Sequence, residues 1–537
     1  MNAQDAMREF WDVIVVGTGV GGATLGHALA RKGHKVLFCE KGWSDFDSEH
    51  ALTGDYAEQF LPSAGAHYAR HIPVLASAGR HWEEIDDRSH LFPHHFTPFI
   101  GSGTGGSSAL FGMAMERFFP CDFSPLAQFP AHVDTTLPET WPISYADLLP
   151  YYEEAEALYR VRGTADGLRK DTTPQIFPAP PPLTPGAETL FKHLAGKGMH
   201  PYRIPMACEF VPGCQCCQGY LCAKNCKNHS GKICLEPAIR LHSAALLDKC
   251  EVLSLEADRA RVTGIICQRD GQKFKLRSKT VVLAAGALAS PAILLRSTSP
   301  DWPDGLANNS RLVGKNLMRH YIDLYLLDLQ IPNLDNRFKE LAFNDYYQVE
   351  GEKLGTVQSF GRLPPPPVMA RSLRDEAVLP GLGKLLGLVA PLAKGFMAKM
   401  VERSTIMASI VEDPPYANNG LTRANDGGFR LRYRVHQQDE RRIAAMRRLT
   451  KQALAPFPTQ LVKQADNNHR IAHVCGTCRF GTDPKQSVLD DNNRAHDVEN
   501  LYVVDGSYFP SSGGTNPALT IAANALRVAD HLTRTKV

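Results

Sequence analysis

The chain is expected to fold as an α/β protein. A Rossmann-like nucleotide-binding domain is assembled from separated segments, with other structure inserted between them. Three observations predict this. The N-terminus holds a complete strand, glycine turn, helix and second strand. Far down the chain, near residues 280 and 503, two more buried strands run into small-residue turns and then helices. At 537 residues the chain is also too long for one simple core, so at least two structural units are needed.

The first unit reads "DVIVVGTGVGGATLGHALARKGHKVLFCEKG". Its apolar run 13–16 is a buried strand, and Gly17, Gly19 and Gly22 form GxGxxG around Val20. Gly17 permits the tight turn, Gly19 lets the backbone approach a pyrophosphate, and Gly22 allows close packing of helix on strand. The helix N-terminus then faces the phosphates. Glu40 ends the second strand, 18 residues after Gly22, where a carboxylate can bind ribose hydroxyls. That acid favours FAD or NAD over NADP.

Next comes "GSGTGGSSALFGMAMER" at 101–117. Its glycines, with Gly101, Gly103, Gly105 and Gly106 followed by Ser107, suggest backbone passing close to a cofactor. "TVVLAAGALASPAILLRS" near 280 reads as strand, turn and helix. In "NLYVVDGSYFPSSGGTNPALTIAANALRVADHL" a strand again ends in an acid, Asp505, and a helix begins near Pro517.

Composition narrows the class. Apolar residues are 43% and charged residues 21%, ordinary for a globular protein, and a net charge of +3 without a strong Lys/Arg run argues against nucleic acid. No apolar run reaches the 18 residues of a membrane span. The N-terminus moves straight into a strand, so no secretory signal is expected.

Seven of the 13 cysteines lie between Cys208 and Cys234. Cys216 and Cys217 are followed by four residues, Cys222, three residues and Cys226. An odd total argues against full disulfide pairing. Thiolates this close can converge on one soft metal centre. Spacing alone leaves an iron–sulfur cluster, one zinc ion, or free structural thiols open. His469 and His473 stand four apart, which keeps His469 as a candidate supporting residue, and CGTCR at 475–479 lacks the histidine of a haem c site.

Taken together, these motifs resemble the glucose–methanol–choline (GMC) flavin oxidoreductases over nearly the whole length. The resemblance rests on the fingerprint, the 101–117 loop, "GALASPAILLRS" (286–297), "WPISYADLLPYYEEAEALYRVRG" (141–163), "LVGKNLMRH" (312–320), "HVCGTCRFG" (473–481) and "VVDGSYFPSSGGTNPALT" (503–520). It implies tightly bound FAD, a Rossmann-like FAD domain and a substrate domain built on an antiparallel sheet with helices. It further implies FAD contacts from Val252, Ala285, Gly286, Asp505, Gly506, Asn516 and Pro517, besides the glycines and Glu40. His473 falls at the family's catalytic histidine and Asn516 at its second histidine or asparagine. A base that titrates near neutrality beside an amide suits removal of an alcohol proton. Leu110 stands where some members attach FAD to histidine, so FAD is expected to be non-covalent. Phe111 replaces an asparagine of many members.

The cysteine spacing resembles the iron–sulfur subset of the family, such as the FAD glucose dehydrogenase catalytic subunits. This implies a [3Fe–4S] cluster on Cys217, Cys222 and Cys226 with Cys216 beside them. Cys208, Cys214 and Cys234 exceed that motif. A cluster favours a dehydrogenase over an oxygen-using oxidase, with a lyase or decarboxylase on the same fold as a further alternative. The expected partners are an alcohol or sugar substrate, a small subunit and a cytochrome-type acceptor. Membrane contact is expected to be peripheral or through a partner. The chain is expected to be cytoplasmic, or periplasmic if co-exported with a signal-bearing subunit.

The FAD domain is expected to comprise 1–50, 95–125, 235–325 and 470–537. The substrate domain is expected to comprise 126–234 and 326–469, including the cysteine-rich loop 208–234, and 51–94 reads as a lid. A proline-rich linker at 362–372 precedes the apolar, lysine-bearing stretch 376–402. That stretch reads as a helix pair, a membrane-surface or docking element, or an apolar lid.

Overall fold

The structure, a computed structural model, describes residues 1–44, 50–62, 68–90, 93–170, 177–331, 338–362, 364–365, 368–369, 404–424 and 428–535. The stretch 376–402 and most of the linker before it lie outside the described residues.

A five-stranded parallel sheet carries the nucleotide-binding motifs. Its order is Leu501–Val503, Ser278–Leu283, Trp11–Val16, Val36–Cys39 and Ala245–Leu247. The register sets Val13 beside Thr280 and Val36, and Leu283 beside Val503. Strands buried on both faces read as continuous apolar runs, as Val13–Val16 and Val36–Cys39 do. Val13, Ile14, Val15, Leu37 and Phe38 are fully buried. Each such side chain contributes about 1.5–3 kcal/mol.

Helix Val20–Arg31 covers one face and packs against the C-terminal helix Ala518–Arg534, which also packs on helix Tyr145–Leu158. The last of these starts in a capping box. Ser144 accepts from the Asp147 N–H while the Asp147 carboxylate accepts from Ser144. This is the physical content of the ISYAD sequence.

A six-stranded antiparallel sheet forms the second layer system. Its order is Thr459–Val462, Tyr321–Asp328, Ser404–Val411, Gly355–Ser359, Leu341–Phe343 and Tyr202–Arg203. The α/β expectation therefore holds, with parallel and antiparallel sheets separate. Strand Ile85–Asp87, from the stretch read as a lid, pairs parallel with Phe429–Arg432 and so forms part of a four-stranded sheet. A three-stranded sheet, Glu251–Ala257, Val262–Arg269 and Gln272–Leu276, sits beside the end of the second parallel strand. There the Cys250 N–H bonds to the Glu40 carbonyl at 2.9 Å.

Candidate active site

The glycine turn has the geometry its sequence called for. Gly17 holds φ +98°, and a Cβ there would stand 2.5 Å from the Ala284 carbonyl oxygen. At Gly22 a Cβ would lie 2.2 Å from the Gly17 carbonyl oxygen. Gly19, the residue capping helix Val20–Arg31, has nothing within 4 Å of that position. The space beside Gly19 is open, and a helix start carries unpaired amides that suit an anion. Gly106 of the second loop comes up against Gly19, 3.1 Å from its Cα by the same measure.

Glu40 joins the two loops. One of its oxygens accepts from the Thr18 N–H (3.0 Å) and hydroxyl (2.7 Å), the other from the N–H groups of Gly42 (2.9 Å) and Gly103 (3.0 Å). Burial raises this carboxyl above its ordinary range, against the pull of those donors. Four donors fill its lone-pair sites, so a ribose hydroxyl would have to displace one of them.

Asp505 has a matching place after the edge strand Leu501–Val503. It accepts from the Gly286 and Ser507 N–H groups, both at 2.9 Å, and from the Ser290 and Ser507 hydroxyls. Gly286 has φ +90° and open space at its missing Cβ. Ala285 is bonded through its N–H to Ser290 Oγ at 3.1 Å, and the Gly506 carbonyl accepts from the Gly476 N–H. Val252 is buried in strand Glu251–Ala257, two residues past Cys250.

His473 and Asn516 come from the C-terminal segments. Residues 317–320 run beside 472–475: Met318 and Cys475 exchange backbone hydrogen bonds at 3.0 Å, and the His320 N–H reaches the Ala472 carbonyl. That pairing sets His320 against His473, with Nδ1 to Nδ1 at 2.8 Å. The other nitrogen of His320, Nε2, is 2.8 Å from the Gly513 carbonyl oxygen. A carbonyl only accepts, so His320 Nε2 carries the proton. Burial lowers His320 to about 4, leaving it neutral with a lone pair on Nδ1. His473 therefore donates from Nδ1, and its Nε2 holds a free lone pair. Burial first, then His320 and Lys339, hold His473 well below the ordinary imidazole range. His473 adopts φ +58°, an uncommon conformation for a side-chain-bearing residue, of the kind found at functional sites.

The segment after Gly513 is fixed by side chains. Its own N–H bonds to Glu412, the Gly514 N–H to the Tyr347 hydroxyl at 2.9 Å, and the Thr515 hydroxyl to Glu116 at 2.8 Å. Beneath lie Lys353, Asp122 and Glu412, all fully buried and ion-paired. Asn516 is 7% exposed and its Oδ1 is buried without a hydrogen-bond partner. Such an atom can accept one hydrogen bond, from water or from a ligand. Pro517 precedes helix Ala518–Arg534.

Other sequence candidates take structural places. His469 stacks on His94 and Phe96, with ring centroids 4.3 and 4.8 Å apart. Cys475 and Cys478 are free, fully buried thiols that burial pushes upward. The sequence reading quoted His320 without a role and missed Lys339, Lys353 and Glu412. The sign of His320 was a histidine closing the apolar LVGKNLM run; the lysines gave none, because their partners are distant in sequence.

The cysteine loop packs directly on the second glycine loop. The Gly219 N–H bonds to the Leu110 carbonyl at 2.8 Å, the Ala207 N–H to the Met113 carbonyl at 2.9 Å, and Lys227 Nζ to the Ala109 carbonyl at 2.8 Å. Within it Sγ of Cys214 is 3.8 Å from Cys208 and 3.1 Å from Cys226, and Cys222 is 3.4 Å from Cys226. Cys217 reaches Cys222 by a thiol hydrogen bond, and the buried Cys216 lies toward Lys339. The tightest trio is Cys208, Cys214 and Cys226; Cys222 joins it through Cys226, and Cys217 joins through Cys222.

The C-terminal segments thus bring together a buried neutral imidazole pair and an amide oxygen without a partner, beside a glycine turn that opens a helix. The family description "GMC oxidoreductase" matches residues 194–322 and 416–525. The chain is 30% identical to 6'''-hydroxyparomomycin C oxidase of Streptomyces lividus, over 97% of this chain and 92% of that protein. It is 27% identical to 2-methyl-1,2-propanediol dehydrogenase of Mycolicibacterium austroafricanum, over 97% and 95%. It is 26% identical to the fructose dehydrogenase large subunit of Gluconobacter japonicus, over 97% of each. Pyridoxine 4-oxidase from Mesorbium loti has the same fold, with TM-score 0.65 and 19% identity over 98% of this chain and 99% of that one. The chain belongs to the GMC oxidoreductase family, as its motifs implied. Among the described residues no helix is long and apolar enough to cross a membrane.

Proposed function

We propose that the protein oxidises a CH–OH group of an alcohol or sugar, using non-covalent FAD, with His473 as the base. The observation that carries this reading is the hydrogen-bonded series Gly513 carbonyl, His320, His473, which leaves the His473 Nε2 lone pair free. The residues fit FAD: Gly19 and Gly286 leave open space where a side chain would stand, and Asn516 Oδ1 lacks a partner. In this proposal Gly17, Gly19, Val20, Gly22, Glu40, Gly101, Gly103, Gly105, Gly106, Ser107, Val252, Ala285, Asp505, Gly506 and Pro517 line the cofactor. Residues 1–50, 95–125, 235–325 and 470–537 form its domain, and 126–234 with 326–469 the substrate domain.

Alcohol oxidation takes a hydride from carbon and a proton from oxygen. FAD, when bound, supplies the hydride acceptor. The chain's residues do the rest. His473 Nε2 takes the hydroxyl proton, His320 holds the imidazole in the tautomer that can take it, and the Asn516 amide holds the substrate oxygen. Burial keeps the imidazole neutral, so its Nε2 lone pair is unprotonated when the substrate hydroxyl arrives.

The cysteine loop would hold an iron–sulfur centre that passes electrons to a cytochrome-type partner. Its clustered thiols beside the 101–117 loop support this. So does the "large subunit" in one relative's name, which points to a partner subunit. An oxygen-using oxidase is the second reading, favoured by the relative named as an oxidase at 30% identity. Two measurements test the proposal. Acid denaturation should release FAD, and an alcohol that bleaches the flavin anaerobically should yield little peroxide in air. Release of NAD or FMN would overturn the cofactor reading, and stoichiometric peroxide would select the oxidase.

A further inference from the structure

We propose that Cys39, Cys250 and Cys267 form a three-thiolate site for one soft cation, Cu(I), where the parallel sheet meets the three-stranded sheet. This site shares no residue with the cysteine-rich loop and does not depend on the iron–sulfur reading.

Convergence is the first argument. The three sulfurs all lie within 4.8 Å of one another. They come from three pieces of chain. Cys39 ends strand Val36–Cys39, Cys250 immediately precedes strand Glu251–Ala257, and Cys267 lies in strand Val262–Arg269. Backbone fixes each of them. The Cys39 carbonyl accepts from the Gly17 N–H at 2.8 Å, and the Cys250 N–H bonds to the Glu40 carbonyl at 2.9 Å. Cys267 pairs with Val252, two residues past Cys250, so strand alternation puts Cys250 and Cys267 on one side. All three are buried in the main hydrophobic core.

The second argument is the donor set. No histidine or carboxylate of the described residues joins the three sulfurs within that distance. The acid beside Cys250 in sequence, Asp248, is engaged by the Arg269 guanidinium at 3.1 Å and by the Ser44 N–H at 3.3 Å. Structural zinc sites take four ligands. Three thiolates suit the softer Cu(I). An entry path exists at Lys249, which is exposed and holds φ +52°, a strained turn one residue from Cys250.

Charge is the third. The Nε of Arg269 is buried without a hydrogen-bond partner. Hydrogen bonds from Cys267 and Cys39 draw the Cys250 thiol below its ordinary range against burial, and the Arg269 guanidinium adds to that pull. The same bonds to Cys250 push Cys39 and Cys267 up. A bound cation would take the place of these shared protons. The resulting metal–thiolate group carries negative charge, which the orphaned guanidinium N–H can satisfy. Such a cation would also clasp the three-stranded sheet to Gly17 and Glu40, the residues joined by backbone to Cys39 and Cys250.

The test uses the FAD-loaded holoenzyme under anaerobic conditions, equilibrated with Cu(I) buffered by bicinchoninate and then freed of unbound metal. Copper, iron and FAD are measured per chain for the wild type, Cys250→Ala and Cys267→Ala. The wild type should retain copper, gain a near-ultraviolet thiolate band and melt at a higher temperature than before loading. Each alanine variant should hold one copper fewer, with wild-type iron and FAD. Equal copper in the wild type and both variants, or no copper in the wild type, would overturn the site. Iron is counted in the same samples, so failure of the iron–sulfur reading shows separately. If the alanine variants do not hold FAD, Arg269→Gln answers with all three thiols in place. Its Cu(I) affinity in competition with bicinchoninate should fall by about tenfold, the scale of one lost hydrogen bond to a charged group. Unchanged affinity would contradict the site.

Discussion

The imidazole site and the cysteine nest are both buried, yet different neighbours set their charge. At His473 burial first, then a second imidazole and the cation of Lys339, keep the ring neutral with a free lone pair. In the nest burial pushes the Cys216 thiol up, whereas Cys222 and Cys214 are held low by hydrogen bonds from neighbouring thiols. Beside them burial lowers the Lys227 ammonium to about 8, against the pull of those sulfurs. The comparison teaches that exposure alone does not set a titratable group's charge; the partners beside it do as well.

The predictions separate the two regions. His473→Ala should show the largest effect, slowing anaerobic flavin reduction by about 10²–10⁴-fold with FAD content intact. Near wild-type reduction would move the base elsewhere. Cys222→Ser should collapse turnover with a c-type cytochrome and bleach the broad absorption beside the flavin bands, while a small dye that reaches flavin directly still works. His320→Ala frees the His473 ring to take the wrong tautomer, and a loss of about 10²-fold is expected, the scale of a mispositioned catalytic group. His320→Gln, whose amide can still bridge Gly513 and His473, should recover part of that loss. A merely structural histidine would show no such rescue.

Gly17→Ala should lower bound FAD, since φ +98° and the Ala284 carbonyl 2.5 Å away both oppose a methyl group. Strain of this kind costs about 1–3 kcal/mol. The smallest effect is on stability. His320 is neutral when folded down to about pH 4, whereas the unfolded chain protonates it near 6.5. Between those values the unfolded state binds more protons, so stability should fall as pH drops from about 6.5 towards 4. Denaturant titrations of wild type and His320→Gln should differ in that slope and in no other pH range.

Much of the cofactor region was legible because each of its signals is local. Gly17 and Gly22 announce themselves by spacing, and apolar runs at Val13–Val16 and Val281–Leu283 can only be buried strands. The parallel pairing of Trp11–Val16 with Ser278–Leu283 is a contact across about half the chain. It was reachable only because both segments end in the same kind of turn. Less legible was whatever depends on long-range side-chain partners. Glu40 reads as a ribose ligand from its place after the strand, yet its oxygens are taken by Thr18, Gly42 and Gly103. In the nest, the Cys-Cys pair dominates the sequence pattern, but strand pairing of Cys208 with Lys227 decides which sulfurs meet. Lys353 between Asp122 and Glu412 joins residues more than 200 positions apart, and no periodicity foretells it.

The measurement that bears most directly on the account follows the two half-reactions separately by anaerobic stopped flow. One half-reaction is flavin reduction by an alcohol active on the wild type; the other is reoxidation of dithionite-reduced enzyme by a c-type cytochrome. The account predicts that His473→Ala is slow only in the first and Cys222→Ser only in the second. Loss of both half-reactions in either well-folded variant, or normal cytochrome reoxidation in Cys222→Ser, would contradict it.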